Sequence, residues 1–184
     1  ITDNGFREYD VRWRLGAEVN PNGFVVLGRA YATYAREVLK EDAVVLAHDF
    51  RSYSQDLARS FTVGLLSAGV RVVDIGLALT PILYFAQHHL GLRAGVMVTA
   101  SHNPPRFNGF KVGMEKSTIY GEEIQVLRRR MESGRFRQGT GTLSASDVVP
   151  AYIDTVRSKV CISRPLRVAF DPGNGAAGIV SKSS

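Results

Sequence analysis

The side chains best suited to chemistry lie between positions 97 and 112, in the run Met-Val-Thr-Ala-Ser-His-Asn-Pro-Pro-Arg-Phe-Asn-Gly-Phe-Lys-Val. Ser101 stands near its centre, and the cationic or hydrogen-bonding residues that follow it are His102, Asn103, Arg106 and Lys111. A hydroxyl held among such side chains is placed to carry an anionic group or to pass it on. A Ser-His hydrolytic dyad is not expected, because neighbouring side chains in an extended loop diverge and no G-x-S-x-G turn is present.

The segments on either side of Ser101 are predicted to fix it at the end of a strand. Residues 94–98 form a short apolar run with the length of a buried strand. Pro104 and Pro105 then stiffen the loop, and a second short strand over residues 110–112 brings Lys111 back past the serine. The sequence therefore predicts a rigid loop between two strands, with the serine at its tip.

The rest of the chain alternates strand-like and helix-like segments, a pattern typical of an α/β fold with largely parallel strands. Apolar spacing predicts helices over residues 24–39, 54–67, 80–90, 121–132 and 148–160, and short apolar runs predict strands over 43–47, 70–75 and 166–170. Residues 134–146 are rich in Gly, Ser and Thr and are interpreted as an exposed connection. We expect a first domain over residues 1–147 and an incomplete second α/β domain over 148–184. Because the chain also lacks an initiator Met, we expect it to be truncated.

Composition favours a globular cytoplasmic protein with one full core. The chain has 184 residues, 45% of them hydrophobic, and shows neither a membrane span nor a signal peptide. Cys161 is its single cysteine, which excludes an internal disulfide, and we expect it to be a small buried apolar residue. The net charge of +6 invites a nucleic-acid surface, but the basic run at 128–130, 135 and 137 is better explained as the solvated face of an amphipathic helix. A basic surface also steers anionic substrates.

Five segments form an ordered set of motifs along nearly the whole chain. The serine loop reads T-A-S-H-N-P from Thr99 to Pro104. The other four match the patterns F-R-x-Y-D-I-R, D-x-R-x-S-S, D-I-G-x-x-x-T-P-x-x-Y-F-A and D-x-G-N-G-A-A-G, and they lie at residues 6–12, 49–54, 74–86 and 171–178. Together they resemble the α-D-phosphohexomutases, the phosphomannomutase/phosphoglucomutase family.

The resemblance implies a three-layer α/β/α sandwich with a mixed, largely parallel sheet, and an enzyme that interconverts hexose 1-phosphate and 6-phosphate. Ser101 would be the phosphoserine that phosphorylates the sugar, forming a bisphosphate that reorients and returns a phosphate to the serine. The family's Mg²⁺ would be bound by the Ser101 phosphate and by aspartates of a D-G-D-G-D-R loop that this sequence does not contain. We therefore expect the 184-residue chain by itself to be inactive as a mutase.

The resemblance also assigns roles to the residues around the serine. Lys111 would transfer a proton or stabilise charge, and His102 and Asn103 would shape the loop and bind phosphate oxygens. Tyr9 and Arg12 would contact the substrate, with Arg12 as a phosphate fork. Arg51 could bind phosphate in the same way, or it could pair with Asp49 to hold its own loop. The histidines at positions 48, 88 and 89 are expected to have no catalytic or metal role.

Several alternatives stay open. The hexose could be mannose, glucose or, as in the related phosphoglucosamine mutases, glucosamine. The chain could instead be a non-catalytic sugar-phosphate-binding protein of the same family, or a basic nucleic-acid binder. Residues 173–178 also fit the G-x-G-x-x-G pattern of dinucleotide-binding proteins. Finally, Trp13 stands where the family usually has Gly, so the family's tight turn at this point, and the placement of Arg12 that depends on it, do not carry over to this sequence.

Overall fold

A mixed β-sheet organises the computed structural model, which describes residues 1–114, 117–173 and 175–181. Across these residues the sheet has seven strands in the order β1-β5-β4-β2-β3-β7, with β6 paired to β5. The strands are β1 (Val11–Arg14), β2 (Ala43–His48), β3 (Arg71–Leu77), β4 (Ala94–Val98), β5 (Phe107–Met114), β6 (Ser117–Thr118) and β7 (Leu143–Ala145). The predicted strands at 43–47, 70–75, 94–98 and 110–112 therefore all form, within a few residues of their expected ends.

The sheet combines parallel and antiparallel pairs. Parallel pairing joins β2 to β3, β2 to β4 and β3 to β7, whereas β1 with β5, β4 with β5, and β5 with β6 are antiparallel. The antiparallel half follows from the serine loop, because it joins β4 directly to β5 and leaves no room for the helical crossover that a parallel neighbour needs. The mixed sheet is thus confirmed, with its parallel part limited to β2, β3, β4 and β7.

Helices cover both faces of the sheet. They are α1 (Pro21–Tyr34), which continues as a π-helical turn over Ala35–Leu39, α2 (Ser54–Ser67), α3 (Thr80–His89), α4 (Glu122–Ser133), α5 (Val149–Lys159) and α6 (Gly178–Ser181); a short 3₁₀ turn spans Asp3–Gly5. Alternate residues of β2 enter different cores: Val44 and Leu46 pack with α1, α2 and α4, while Val45 and Ala47 pack with α3 and α5. The expected three-layer α/β/α arrangement is confirmed.

The three consecutive arginines of the basic run lie on α4 as expected, whereas Arg135 and Arg137 follow the end of this helix. Ile124 and Leu127 are buried against α1, and the three consecutive arginines form ion pairs on the outer side. These pairs are Arg128–Glu132, Arg129–Glu122 and Arg130–Glu37. Their charge is therefore neutralised locally by the chain itself.

Tyr34 links α1 to the first turn of α4. Its hydroxyl donates a hydrogen bond to Glu123 Oε1 at 3.2 Å. Burial, together with the adjacent Glu123 carboxylate, raises the pKa of Tyr34 to about 12, so the phenol keeps its proton and remains a donor across the physiological range.

Three sequence expectations are wrong in the C-terminal part of the described chain. The interpretation of 134–146 as a connection misses β7, a short exposed edge strand beside β3. Residues 166–170 form no strand and are exposed, because no neighbouring strand there satisfies their backbone groups. Cys161 is exposed as well, since it follows α5 in this same unpaired segment.

Residues beyond 147 contact the layer built by α3. Val148 is buried there, and Tyr152 of α5 packs edge-on against Phe85, with ring centroids 5.5 Å apart. Ile179 and Val180 pack on the same cluster. The division into domains at 147/148 stays a prediction. Among the described helices, none combines the length and the apolar character that crossing a membrane requires.

Candidate active site

Ser101 lies at the tip of the loop between β4 and β5. Its φ of +53° puts a non-glycine residue in the left-handed region, which costs roughly 1 kcal/mol and requires support from the surroundings. Two local hydrogen bonds provide part of that support: Ser101 N donates to Thr99 Oγ1 at 3.0 Å, and Asn103 N donates to the Ala100 carbonyl at 3.0 Å. The turn leaves the Ser101 side chain exposed to solvent.

The left-handed turn also brings the His102 ring against Ser101. The hydroxyl oxygen lies 3.1 Å from Nδ1 and 3.3 Å from Nε2. The expectation that the two side chains diverge is therefore wrong, because it assumed an extended backbone at Ser101. An oxygen almost equidistant from both ring nitrogens is not in line with the lone pair of either one. The contact consequently differs from the directed hydrogen bond of a Ser-His dyad.

Arg51 holds the serine loop by its backbone. Its guanidinium donates to the carbonyl oxygens of Ser101 (2.9 Å), Asn103 (2.6 Å), Pro104 (3.0 Å) and Phe107 (3.4 Å). These carbonyls surround the planar fork and use both terminal nitrogens. These contacts hold the serine loop, whereas the roles expected from the sequence were phosphate binding and pairing with Asp49 to hold the loop of Arg51 itself.

Asp49 anchors this arrangement from below. The carboxylate is 7% exposed; Oδ1 accepts from the Ser54 hydroxyl and from Arg51 N, and Oδ2 accepts from Thr99 Oγ1 at 2.8 Å. Oδ2 also lies 3.4 Å from Arg51 Nε. Since Thr99 Oγ1 in turn accepts from Ser101 N, a continuous chain of hydrogen bonds runs from Asp49 to the serine. Burial without compensation would be costly for a carboxylate, and here both oxygens are satisfied.

Buried polar residues that sequence reasoning missed complete this support. Asn108 is fully buried and donates from Nδ2 to Ser54 Oγ at 2.8 Å. Thr99 N donates to the Gly109 carbonyl at 3.0 Å, which ties the loop to β5. The signal available in the sequence was the presence of Thr99 and Asn108 in otherwise apolar strand ends, where a polar side chain requires a partner.

A second charged group lies on the other side of the loop. Arg12 is 9% exposed and forms a fork to Asp10 Oδ2, with Nε at 2.9 Å. Its Nη1 donates to the Ala100 carbonyl and to Asn103 Oδ1. Lys111 Nζ lies 3.3 Å from the same Asp10 oxygen. Asp10, which was not among the predicted site residues, thus brings both cations to the base of the serine loop.

Strand pairing explains how these distant residues meet. Arg12 of β1 is opposite Gly109 of β5, and Lys111 is opposite Met97 of β4. The residue at 109 must be small, because a Cβ there would lie 1.8 Å from the Val11 carbonyl oxygen. Residues 109 and 111 share one face of β5, so Lys111 lies on the side of the strand that Arg12 approaches.

Trp13 does not sit in a tight turn, in line with the replacement of the family's usual Gly at this position. It lies within β1 opposite Asn108, is completely buried, and packs edge-on against Phe6 at 5.1 Å. Its Nε1 donates to the Thr2 carbonyl at 2.7 Å. Because successive strand residues point to opposite faces, the indole enters the core while Arg12 is directed towards the serine loop.

Some predicted residues are not drawn into the cluster. Tyr9 is 66% exposed, and within the described chain neither Tyr9 nor Arg106 makes a side-chain hydrogen bond or ion pair. His48 Nδ1 lies 2.9 Å from the Asp49 carbonyl, and His89 stacks on Phe85. An open cleft of about 280 Å³ adjoins the loop and is lined by Phe50, Arg51, Ser52, Tyr53, Asn103 and Pro105.

Comparison with known proteins identifies the fold. Residues 3–138 match the family model of phosphoglucomutase/phosphomannomutase, alpha/beta/alpha domain I. The chain is 35% identical to a phosphomannomutase/phosphoglucomutase of Pseudomonas aeruginosa, over 96% of this chain and 38% of that protein. A phosphomannomutase of Salmonella typhimurium is 39% identical, over 95% of this chain and 39% of that protein.

Solved structures give the same result. A phosphoglucomutase/phosphomannomutase family protein of Burkholderia thailandensis superimposes with a TM-score of 0.93 at 35% identity, covering 100% of this chain and 42% of that one. A putative phosphomannomutase of Thermus thermophilus gives 0.75 at 28% identity, covering 85% of this chain and 36% of that one. The chain therefore spans about two fifths of the length of these relatives. From its motifs, its three-layer fold and these matches together, the chain belongs to the phosphoglucomutase/phosphomannomutase family, whose α/β/α domain I it contains.

Proposed function

We propose that this chain is the serine-bearing part of a phosphohexomutase that interconverts hexose 1-phosphate and hexose 6-phosphate. Ser101 acts as a phosphoryl carrier. The Oγ–P bond of phosphoserine breaks as a sugar hydroxyl forms the new O–P bond and releases its proton. In the second half-reaction the other phosphate of the bisphosphate returns to Ser101, so the serine is regenerated in its phosphorylated form. Phosphoryl transfer of this kind depends mainly on positioning and on charge stabilisation.

The observation that carries this proposal is the fixed presentation of an exposed Ser101. Arg51 and the Asp49–Thr99 chain hold the backbone on both sides of the serine, and its hydroxyl remains exposed to solvent beside the His102 ring. A side chain that must meet two different ends of a sugar bisphosphate requires this combination of a rigid backbone and an accessible oxygen.

The cationic pair at the base of the loop supports the second requirement, charge stabilisation. Arg12 and Lys111 share Asp10, which holds them in place while one Arg12 nitrogen already contacts the loop. We propose that Lys111 takes or gives the proton of the reacting hydroxyl, and that Arg12, His102 and Asn103 bind phosphate oxygens. Tyr9 contacts the sugar from the rim of the site, and Arg51 supports the loop.

Magnesium belongs to the same proposal, with the Ser101 phosphate as one ligand. Across the described residues, no cluster of three or more His, Cys, Asp or Glu side chains could hold a metal ion. The residues present thus do not form a metal site by themselves. We place the reaction in the cytoplasm, where hexose phosphates are metabolised.

The proposal is tested by phosphate transfer to the serine. This chain is joined to the unmatched remainder of the Pseudomonas aeruginosa relative, and the hybrid protein, freed of phosphate, is incubated with Mg²⁺ and glucose or mannose 1,6-bisphosphate before intact mass and phosphopeptide mapping are recorded. We expect one phosphate, on Ser101, and none in a Ser101→Ala variant. Ser52→Ala, an exposed serine on the neighbouring loop, is the matched control and should still be labelled. Absence of label, or label elsewhere, would count against the carrier role and favour a protein that only binds sugar phosphates.

A further inference from the structure

A second cleft, of about 530 Å³, lies away from the serine loop. We call it the Arg137 cleft; its lining residues are Arg29, Ser67, Phe136, Arg137, Gln138 and Thr140, with Gly134 and Gly139 between them. It is bounded by α1, the end of α2 and the segment that precedes β7. None of the motifs discussed above includes these residues.

The walls of the Arg137 cleft are fixed by backbone contacts. Gly139 N donates to the Ser67 carbonyl at 3.1 Å, and Gly141 N donates to the Leu66 carbonyl at 2.8 Å. The segment at Gly141 lies so close to the residues that follow α2 that a Cβ on Gly141 would be 2.1 Å from the Val70 carbonyl oxygen. Arg137 N is held by the Thr33 hydroxyl at 3.0 Å. The cleft is consequently preformed, which lowers the entropic cost of binding a ligand.

The charge of this cleft is not neutralised by the chain. Arg29 donates from Nε to Ser67 Oγ at 3.1 Å, and this contact leaves its two terminal nitrogens available. Neither Arg29 nor Arg137 forms an ion pair within the described residues, and no carboxylate lines the cleft. The arginines of α4 differ, since each of the three is paired with a glutamate. Two unpaired guanidinium groups on one concave surface concentrate positive potential there.

From these observations we propose that the Arg137 cleft is a binding site for a small phosphate-bearing anion. Guanidinium groups recognise phosphate oxygens by paired, charge-assisted hydrogen bonds, and Gln138 and Thr140 add neutral donors. The partly buried Phe136 provides an apolar wall for the carbon skeleton of such a ligand. A phosphate ester of metabolite size fits both the volume and the charge.

The site is distinct from the serine loop. α2 begins at Ser54, which contacts Asp49, and ends at Ser67, which lines the Arg137 cleft. A helix of 14 residues spans about 20 Å. The two sites thus lie at opposite ends of one helix, and the proposal does not depend on the role of Ser101.

The test is a titration of the ¹⁵N-labelled chain with pyrophosphate, monitored by NMR at physiological salt. We expect the amides of residues 137–140 to shift with saturation, at a Kd below about 1 mM. Arg29→Gln and Arg137→Gln should each weaken binding about tenfold, as for loss of a charge-assisted hydrogen bond. Citrate, run in parallel, should bind more weakly if phosphate geometry is recognised.

Control variants distinguish a specific site in this cleft from the general attraction of anions to a basic protein surface. Arg135→Gln removes the same charge from an exposed neighbour that does not line the cleft, and it should leave the affinity unchanged; circular dichroism verifies folding of every variant. Shifts confined to the serine loop, equal weakening by Arg135→Gln, or binding of citrate as tight as that of pyrophosphate would overturn the proposal.

Discussion

Arg51 is bound to Ser101 through the main chain: its Nη2 donates to the Ser101 carbonyl oxygen at 2.9 Å, while the serine side chain remains exposed. Arg51 therefore positions the serine through its backbone and makes no direct contact with the serine Oγ. The same guanidinium engages Asn103, Pro104 and Phe107, so one side chain sets the path of the whole loop.

Arg51→Lys is expected to loosen the serine loop, because an ammonium group cannot match several carbonyls arranged around a planar fork. We expect the free energy of unfolding to fall by about 2 kcal/mol and Ser101 phosphorylation to slow at least about tenfold. Urea denaturation and labelling by bisphosphate measure the two effects. Arg59→Lys, at an exposed pair with Asp56, is the control and should change neither. Unchanged labelling in Arg51→Lys would contradict the loop-holding role.

Thr99→Val tests the chain of hydrogen bonds from Asp49 to Ser101. Valine keeps the shape of the side chain but leaves an Asp49 oxygen and the Ser101 N–H without this partner, so we expect a loss of about 1–3 kcal/mol in unfolding free energy. Thr142→Val, at an exposed position, should cost less than about 0.5 kcal/mol. Equal effects of the two substitutions in thermal or urea unfolding would mean that the buried bond contributes nothing.

Ser101→Gly and Ser101→Ala should differ in stability although both abolish phosphorylation. Glycine accepts a φ of +53° without the clash that a Cβ brings, whereas alanine keeps it. We expect the glycine variant to be more stable than the alanine variant by roughly 1 kcal/mol in urea unfolding. If alanine were as stable as glycine, the left-handed turn at this position would not be the conformation in solution.

Gly109→Ala should separate β1 from β5. The added Cβ would lie 1.8 Å from the Val11 carbonyl oxygen, and backbone cannot move aside as a side-chain tip can. We expect a destabilisation of about 3 kcal/mol or more, with loss of the contact between Arg12 and the serine loop. Gly178→Ala, where a Cβ meets nothing within 4 Å, is the matched control. Calorimetry distinguishes them; an intact melting temperature in Gly109→Ala would exclude the strand register described above.

Lys111→Met should impair chemistry far more than folding. The pair with Asp10 is partly exposed on the lysine side and Asp10 retains Arg12, so the stability change should stay within about 1 kcal/mol. Transfer from a hexose bisphosphate to Ser101 should slow about a hundredfold if Lys111 assists the proton transfer. Lys111→Arg keeps the charge but is a poor proton donor, and it should recover binding without the full rate. A normal rate in Lys111→Met would remove Lys111 from the proposed mechanism.

Local patterns in the sequence were sufficient for the central elements and for the position of the serine loop, but they missed β1 and predicted a strand over 166–170 that does not form. The apolar runs of β2 and β4, the helical spacing of α2 and α3, and the Thr99-to-Pro104 motif each depend on neighbours along the chain, and each forms as expected. The Gly- and Ser-rich segment that leads into β7 shows no apolar periodicity. An exposed edge strand of three residues is defined by its pairing with β3 and has no periodicity of its own.

The roles of individual charged residues were decided only by the tertiary structure. The sequence determined that Ser101 stands on a proline-stiffened loop with basic residues nearby. It could not determine that Arg51 binds the loop from 50 residues away, that Asp10 joins Arg12 to Lys111, or that Trp13 fills the core. These contacts depend on which strand ends become neighbours in the sheet. That pairing is set by the summed burial of both faces, and no single segment of the chain contains it.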